Sequence, residues 1–425
     1  MENINQHITK NRFIKDASWN SFGVLTFFAC QWMVSVVVVW LSDNMYNPGY
    51  LGLAMTVTNI FMTISLYNIR FFQVSDIKNE YNDSEYVVTR LLTCAASLLL
   101  CIGFVFLNDY SALQRGIIIC YMFFRINEAL IDVLHGINQK NQRMDYIGIS
   151  LFTRGIFMLA VFVVLMWLFD LLTAVIGITA VTIMIGLIYD LPRTKKLAFF
   201  TAFTWKRVYS LLKHCFPLMI VLFILTMIVS YARYSLERIH GTEALGIYVS
   251  VANPTLIVQV AAFPLFAPLV SLFAACIKNG EKKRFQKTFA SSSVAIFAVV
   301  LACTVASFFI GEWGLRILYA DELVDYAYLL PGAFVVSGLV SYNWFMNLVF
   351  TAIRDIKGLF TGNLIGVIIC LTTTDFFLNR FGLEGVNHVL ILSQGIVILF
   401  LLLRLFSYLK NKQDLFKQHA NTTAD

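Results

Sequence analysis

Long apolar runs, each bounded by a short polar cluster, recur along the whole chain, and their lengths fit membrane-spanning helices. About 20 apolar residues cross the roughly 30 Å hydrocarbon layer. Runs such as LLTCAASLLLCIGFVFL lack the apolar–polar alternation that the strands of a transmembrane barrel need. The pattern predicts spans over 16–41, 49–72, 87–107, 114–136, 147–169 and 171–190, and six more over 214–236, 244–276, 288–310, 326–350, 358–377 and 384–408. The runs at 49–72 and 114–136 contain polar residues throughout. The run at 244–276 is over-long for one span and holds Pro254, Pro264 and Pro268. Each proline removes a backbone donor, so a kink or a broken helix is expected there.

Composition agrees with this division. Of 425 residues, 59% are hydrophobic and 13% charged, against about 45–50% and about 25% in soluble proteins, and the mean hydropathy is +0.74. One soluble core cannot hide that much apolar surface, and disordered or fibrous chains are excluded as well. The fold class is therefore all-α, a polytopic membrane protein of about 12 transmembrane helices. The eight cysteines lie in or at the ends of apolar runs without any CxxC or Cys/His spacing, so inert thiols are expected rather than a disulfide framework. The polar N-terminus has no small-residue cleavage site, and the first span is expected to serve as the insertion signal.

Charge placement tests the topology independently. With the N-terminus inside, the inner segments hold 23 of the 32 Lys and Arg, the outer loops hold only Arg238, Arg316 and Arg380, and six lie within spans. That asymmetry follows the positive-inside rule and places both termini in the cytoplasm. It also accounts for the net charge of +7, since the basic residues sit beside anionic headgroups and no nucleic-acid partner is needed. The chain divides into an N-terminal six-helix bundle (1–190), a cytoplasmic interfacial connection rich in aromatic and basic residues (191–213), a C-terminal six-helix bundle (214–408) and a cytoplasmic tail (409–425). Two six-span halves are the plan of a transporter with an internal repeat.

Catalytic signatures are missing from the sequence. No P-loop and no GxGxxG opens a helix, and the six histidines have no metal-ligand spacing. The longest outer loop, GEWGLRILYADELVDY, is too short to carry the acid and base of an external transferase or polymerase. A non-enzyme without a metal or organic cofactor is expected.

The six basic residues within spans are Arg70, Arg115, Arg125, Arg154, Arg233 and Arg404. A charge at bilayer depth costs about 2.5–3.5 kcal/mol or more, so it is normally paired or lines water. Arg70, Arg115, Arg233 and Arg404 lie near predicted ends, where a long side chain can snorkel, although Arg233 clusters with Tyr231, Tyr234 and Arg238. The fourth span differs: Arg125, Glu128, Asp132 and His135 follow at three, four and three residues and share one helical face. Arg154, about two turns into the antiparallel fifth span, falls at the depth of Glu128 to Asp132. These charges form either an interhelical ion-pair cluster that fixes packing, or a hydrated cavity. In the cavity, the arginines would meet an anionic substrate and Glu128 and Asp132 would couple to H+ or Na+. The two readings overlap, because a carboxylate can neutralise Arg125 until substrate displaces it. Asn59, Asn68, Asn253, Gln259, Asn343 and Asn347 can contact a sugar, or equally another helix. Asp375 is expected to be an interface residue.

Four stretches in order resemble polysaccharide repeat-unit flippases: HGINQKNQRMDYIGISLFTRGI (135–156), GIYVSVANPTL (246–256), LYADELVDYAYLL (318–330) and NRFGLEGV (379–386). That family is part of the multidrug/oligosaccharidyl-lipid/polysaccharide exporter superfamily. The resemblance implies two six-helix bundles around a central cavity, and movement of an undecaprenyl-pyrophosphate-linked oligosaccharide from the inner to the outer leaflet of the bacterial cytoplasmic membrane. It implies an electropositive cavity, onto which Arg125 and Arg154 map by position. The residues themselves add Arg70, Arg233 and Asn59 as further candidates for substrate contact. The resemblance also implies a surface-polysaccharide pathway whose polymerase and glycosyltransferases are partners, with O-antigen, capsule, exopolysaccharide and teichoic-type polymers all open as products. Glu128 and Asp132 depart from a purely cationic cavity. The rival reading is a cation-coupled exporter of drugs or metabolites on the same superfamily plan, against which two mid-depth arginines argue. A major-facilitator transporter is disfavoured because its Asp/Arg-rich signature is absent from QVSDIKNEYNDSEYVVTR.

Overall fold

The computed structural model describes residues 2–76, 79–259, 269, 272–277, 279–319 and 321–411. Regular structure among them is helical throughout. The chain divides into two compact units, Met1–Phe223 and Ile224–Asp425.

The first unit is built from α1 (Glu2–Trp40), α2 (Tyr46–Leu66), α3 (Ile69–Ser75), α4 (Asp83–Leu107), α5 (Ala112–Lys140), α6 (Met144–Leu168), α7 (Leu171–Ile185) and α8 (Leu191–Lys195). A π-helical turn, Gly186–Asp190, joins α7 to α8. Helix α9 (Trp205–His240) begins in this unit and ends in the second, with Pro217 inside it. Between α8 and α9, residues 196–204 carry no helix, and 205–213 are the first turns of α9. The second unit continues with α10 (Thr242–Ala252), α11 (Lys282–Tyr319), α12 (Leu329–Ala352), α13 (Ile356–Phe381) and α14 (Glu384–Asn411).

Helix starts are fixed by local chemistry. Asn82 and Glu85 form a reciprocal capping box on α4, the Asn82 side chain accepting from the Glu85 N–H at 2.8 Å and Glu85 Oε2 from the Asn82 N–H at 2.9 Å. Ser111 and Gln114 do the same for α5. Each box satisfies two backbone donors that a helix N-terminus otherwise leaves open. The predicted span 49–72 is interrupted where Tyr67 and Asn68 adopt left-handed conformations, with φ of 46° and 55°. The chain turns there and sets Arg70 on its own short helix, α3.

Ten helices among the described residues are long and apolar enough to cross a membrane, each at one of the predicted positions. An eleventh position is filled by α5, whose 29 residues reach about 40 Å at 1.5 Å per residue and carry the charged face. The twelfth, 244–276, is described only in part. Its helix α10 gives way to a 3-10 turn, Asn253–Thr255, at Pro254, while Pro264 and Pro268 lie outside the described residues.

Packing in the first unit places α5, with its charged face, at the centre. Helix α5 touches α2, α3, α4, α6, α7 and α8, whereas α1 lies along α6. Contact between α1 and α6 is close because Gly23 and Gly148 face one another. A Cβ on Gly23 would overlap the Gly148 backbone, and one on Gly148 would overlap the Trp19 carbonyl. Small residues at such crossings let backbones approach where no water-driven force joins helices. In the second unit, α11 packs on α12, α13 runs along α14, and α10 and α14 both meet α12. All eight cysteines are free.

Candidate functional site

Six of the seven site residues expected from sequence belong to the first unit, and the structure gathers them around α5. Arg125 donates to Glu128 Oε2 at 2.8 Å and to Asn59 Oδ1 of α2 at 3.1 Å. Glu128 Oε1 accepts in turn from Gln31 Nε2 of α1 at 3.2 Å. About one turn further along α5, Asp132 is shared between two arginines. Arg70 of α3 meets Oδ1 at 3.0 Å, and Arg90 of α4 meets Oδ2 at 2.8 Å. Arg70 also donates twice to Gln139 Oε1, at 3.3 and 2.9 Å, and Arg90 donates to the Ser65 carbonyl at 2.8 Å. One turn beyond, His135 Nε2 lies 3.1 Å from Asp190 Oδ1, and Ser150 Oγ of α6 donates to Asp190 Oδ2 at 2.9 Å. The charged face of α5 is thus a row of pairs, each reaching a different neighbouring helix.

Arg154 stands apart from this row. It is 3% exposed, and its guanidinium lies 5.2 Å from the centre of the Phe27 ring. Its Nε and Nη1 atoms are buried and find no hydrogen-bond partner in the protein. The anions whose charge reaches it are Asp190, Glu128 and Asp132, each already bonded to another cation or donor. A buried polar group without a partner costs free energy that neighbouring packing must offset. Chemically, Arg154 is a planar set of donors left open, suited to the oxygens of a phosphate or carboxylate. Arg70, Arg90, Arg125 and Arg154 face three carboxylates, Glu128, Asp132 and Asp190, so the cluster carries an excess of positive charge.

Arg233 belongs to the second unit, where its Nε is buried without a partner. The other arginines of the spans are placed in simpler ways: Arg404 binds Asp355 through Nε at 2.5 Å and Nη2 at 2.9 Å, and Arg115 lies over the Phe106 ring. Several amide candidates join helices. Asn343 donates to Asn363 and Gln394 at 3.2 and 2.8 Å, and Gln259 donates to Ser337 at 2.8 Å. Asp375 pairs with Arg238 at 3.3 Å. No group of three or more His, Cys, Asp or Glu able to hold a metal ion occurs among the described residues.

Sequence reasoning missed Arg90, Ser150 and Asp190. Sequence counting puts Arg90 with the inner charges because it falls at the cytoplasmic end of the span drawn from 87, yet it is fully buried. The Asn82-x-x-Glu85 box was the available signal, because it starts α4 at Asp83 and puts residue 90 two turns inside. Asp190 had no such signal: the π-helical turn that aims it at α5 leaves no mark in the hydrophobic period.

Residues 40–274 match the family described as Polysaccharide biosynthesis protein. A comparison with curated proteins finds no match. Among solved structures, the lipid II flippase MurJ in an inward closed conformation is similar at a TM-score of 0.70 and 14% identity, covering 90% of this chain and 87% of its own. An Asp-to-Asn variant of the Vibrio cholerae MATE transporter VcmN gives 0.65 and 13%, covering 96% and 98%. A MOP superfamily transporter from Pyrococcus furiosus, with a binding pocket of reversed polarity, gives 0.65 and 11%, covering 96% of each chain. At these identities the likeness is one of fold: a multi-pass helical membrane protein built as transporters and flippases are.

Proposed function

The chain belongs to the polysaccharide biosynthesis protein family, and we propose on that premise that it flips an undecaprenyl-pyrophosphate-linked oligosaccharide repeat unit across the bacterial cytoplasmic membrane. The unit would move from the inner to the outer leaflet by alternating access, with both termini of the protein cytoplasmic, to supply assembly of a surface polysaccharide such as O-antigen or capsule. The polymerase and glycosyltransferases of that pathway would then be its functional partners. The observation that carries this reading is Arg154, a buried arginine with open donors in a cluster of net positive charge. A pyrophosphate or an acidic sugar supplies the oxygens those donors lack.

Each residue of the cluster has a part in the proposal. Arg154 meets the anion first, because no carboxylate must be displaced from it. Arg125 joins when substrate oxygens replace Glu128, whose second tie is a neutral amide, Gln31. Asn59, on the exposed side of that pair, is placed to contact a sugar hydroxyl. Asp132 keeps Arg70 and Arg90 in place, so the arginines stay charged and oriented while no substrate is bound. Arg233 is the second unit's candidate for substrate contact. A cationic drug is a poor fit to the first unit, since each carboxylate in the cluster already holds an arginine or a histidine.

The test is to deplete the protein and measure polyprenyl-pyrophosphate oligosaccharides in the membrane, with the leaflet assigned by lectin or glycosidase access to sealed spheroplasts. Complete repeat units accumulating on the inner face are expected, and their mass identifies the sugar. Incomplete units would indicate a transferase instead, and units outside that fail to polymerise would indicate a polymerase. An unchanged lipid-linked pool would leave the drug or metabolite exporter.

A further inference from the structure

We propose that His135 and Asp190 form a proton-binding site linked to the anion site at Arg154, such that uptake of an anion and uptake of a proton favour each other. The proposal rests on the reading of Arg154 as an anion site. It assigns the coupling proton to a pair that this reading does not use.

The geometry is that of a built site. His135 comes from α5, Ser150 from α6 and Asp190 from the π-helical turn after α7, so three elements converge on one carboxylate. All three residues are buried. Asp190 stands at the end of the π-helical turn, and such turns are frequent at functional sites. The turn is seated tightly: a Cβ on Gly186, its first residue, would come within 3.0 Å of Ile131 Cδ1 on α5. A buried His–Asp pair is an expensive way to join three helices, since well-packed apolar residues commonly do as well or better. Its retention points to a use for the charge.

Linkage to Arg154 follows from position. Ser150, which donates to Asp190 at 2.9 Å, and Arg154 are four residues apart on α6 and share a face, so the Asp190 carboxylate is among the charges that reach Arg154. While His135 is neutral, the Asp190 carboxylate serves as the distant counter-charge of Arg154. Once His135 is protonated, that carboxylate is balanced by the imidazolium 3.1 Å away, and Arg154 faces any incoming anion with its full charge. By reciprocity, an anion on Arg154 must raise the affinity of His135 for its proton by the same factor.

The remaining groups around His135 set the background without supplying the switch. Arg70 faces it from α3 and Asp132 from its own helix, and these two are tied to each other and to Arg90 of α4. Helix α2 brings no charged residue, α8 contributes Thr194, which bonds Asn138, and α9 reaches α5 through Leu211 and Cys215. His135 is therefore the one side chain of this set whose residue type ordinarily exchanges its proton near neutral pH.

The experiment uses the full-length protein in nanodiscs, with sulfate as the probe because its charge is constant between about pH 5.5 and about pH 8. Sulfate affinity is measured calorimetrically across that range, and proton uptake on sulfate addition is followed with a dye in weak buffer. The expected result is binding about 5-fold or more tighter at the acid end, accompanied by proton uptake. Both the pH dependence and the uptake vanish in His135→Gln, and Arg154→Gln abolishes the binding itself. Should His135→Gln fail to fold, Asp190→Asn serves instead. It keeps the shape and removes the carboxylate through which the two sites are linked, so the pH dependence and the proton uptake should again be lost while sulfate still binds. Sulfate binding that depends on Arg154 but not on pH, without proton uptake, overturns the proton site and leaves the proposed function standing. Absence of any Arg154-dependent binding overturns both.

Discussion

Arg70 and Arg90 hold opposite oxygens of one carboxylate, Asp132, at 3.0 and 2.8 Å, and so tie α3, α4 and α5 together. The two bonds are unequal in consequence. The Arg70 side chain keeps 33% of its surface exposed, whereas that of Arg90 keeps none. Removing the shared negative charge leaves a fully buried guanidinium with neutral acceptors only, the Ser65 carbonyl among them. Asp132→Asn should therefore lower stability by about 3–5 kcal/mol, the range for breaking one side of a buried ion pair. Arg70→Gln should cost about 1 kcal/mol or less, as for a solvent-reached pair. Melting midpoints of the two purified variants in one detergent check this, and equal midpoints would show that burial of Arg90 does not set the cost.

Arg154 leads to the opposite sign. Its charge is buried without a direct partner, so it burdens the fold of the empty protein. Arg154→Met should insert normally and melt at a higher temperature than the wild type, since it replaces a strained polar group by an apolar one of similar length. Transport should fall to background. Arg154→Gln should also lose most transport, and Arg154→Lys should retain part of it, because lysine keeps the charge but not the planar fork. A variant without the arginine that melts lower yet still transports would make Arg154 a packing residue.

Much of this arrangement was legible in the sequence, and the rest was hidden for definite physical reasons. Spacing alone put Arg125, Glu128, Asp132 and His135 on one face, because a helical period depends on nothing beyond the helix. It also placed Arg154 level with them, since a short loop between antiparallel helices fixes relative depth. The partners of these charges were another matter. Which arginine takes Asp132 depends on where α3 is cut from α2 by two left-handed residues, Tyr67 and Asn68, and on where α4 begins. The π-helical turn that turns Asp190 onto His135 breaks the period that sequence reading relies on. The span at 114–136 looked weak for the same reason that it matters: α5 is surrounded by helices, so it can afford charges that a lipid-facing helix cannot.

The close approach of α1 and α6 offers a separate test of how Arg154 is aimed. Gly148 touches α1 at the Trp19 carbonyl, and Gly155, next to Arg154, packs about two turns further along against Phe27 and Cys30. Phe27 is also the ring under the Arg154 guanidinium. Gly148→Ala puts a methyl group into backbone that cannot yield, so α1 and α6 must separate. The expected outcome is a melting midpoint several degrees lower, corresponding to about 1–3 kcal/mol of overpacking, with a loss of transport larger than the loss of folded protein. Gly103→Ala, on α4 with open space around its added Cβ, is the control and should match the wild type in both measurements.

Outside the spans, Asp76 gives a pH dependence whose sign can be worked out. Its carboxylate joins α3 to α4 by accepting from the backbone N–H groups of Glu80 and Tyr81 at 2.8 and 3.0 Å and from the Tyr86 hydroxyl at 3.0 Å. Burial by itself pushes the carboxyl up, but these three donors, with the Lys140 ammonium at longer range, more than offset it and hold the group below its ordinary value. A carboxylate with a depressed value in the folded state adds stability that is fully present above its unfolded value of about 3.9 and is lost as pH falls through the folded one. Asp76→Asn removes that contribution at every pH. Wild type should therefore melt above the variant at neutral pH and keep a constant margin down to about pH 5. The margin should then shrink as the solution is acidified below the ordinary carboxylate range. Melting curves of both proteins over an acid series in one detergent measure it directly. A margin that stays constant to the lowest pH at which the protein folds would mean that the loop is held by the neutral hydrogen bonds alone.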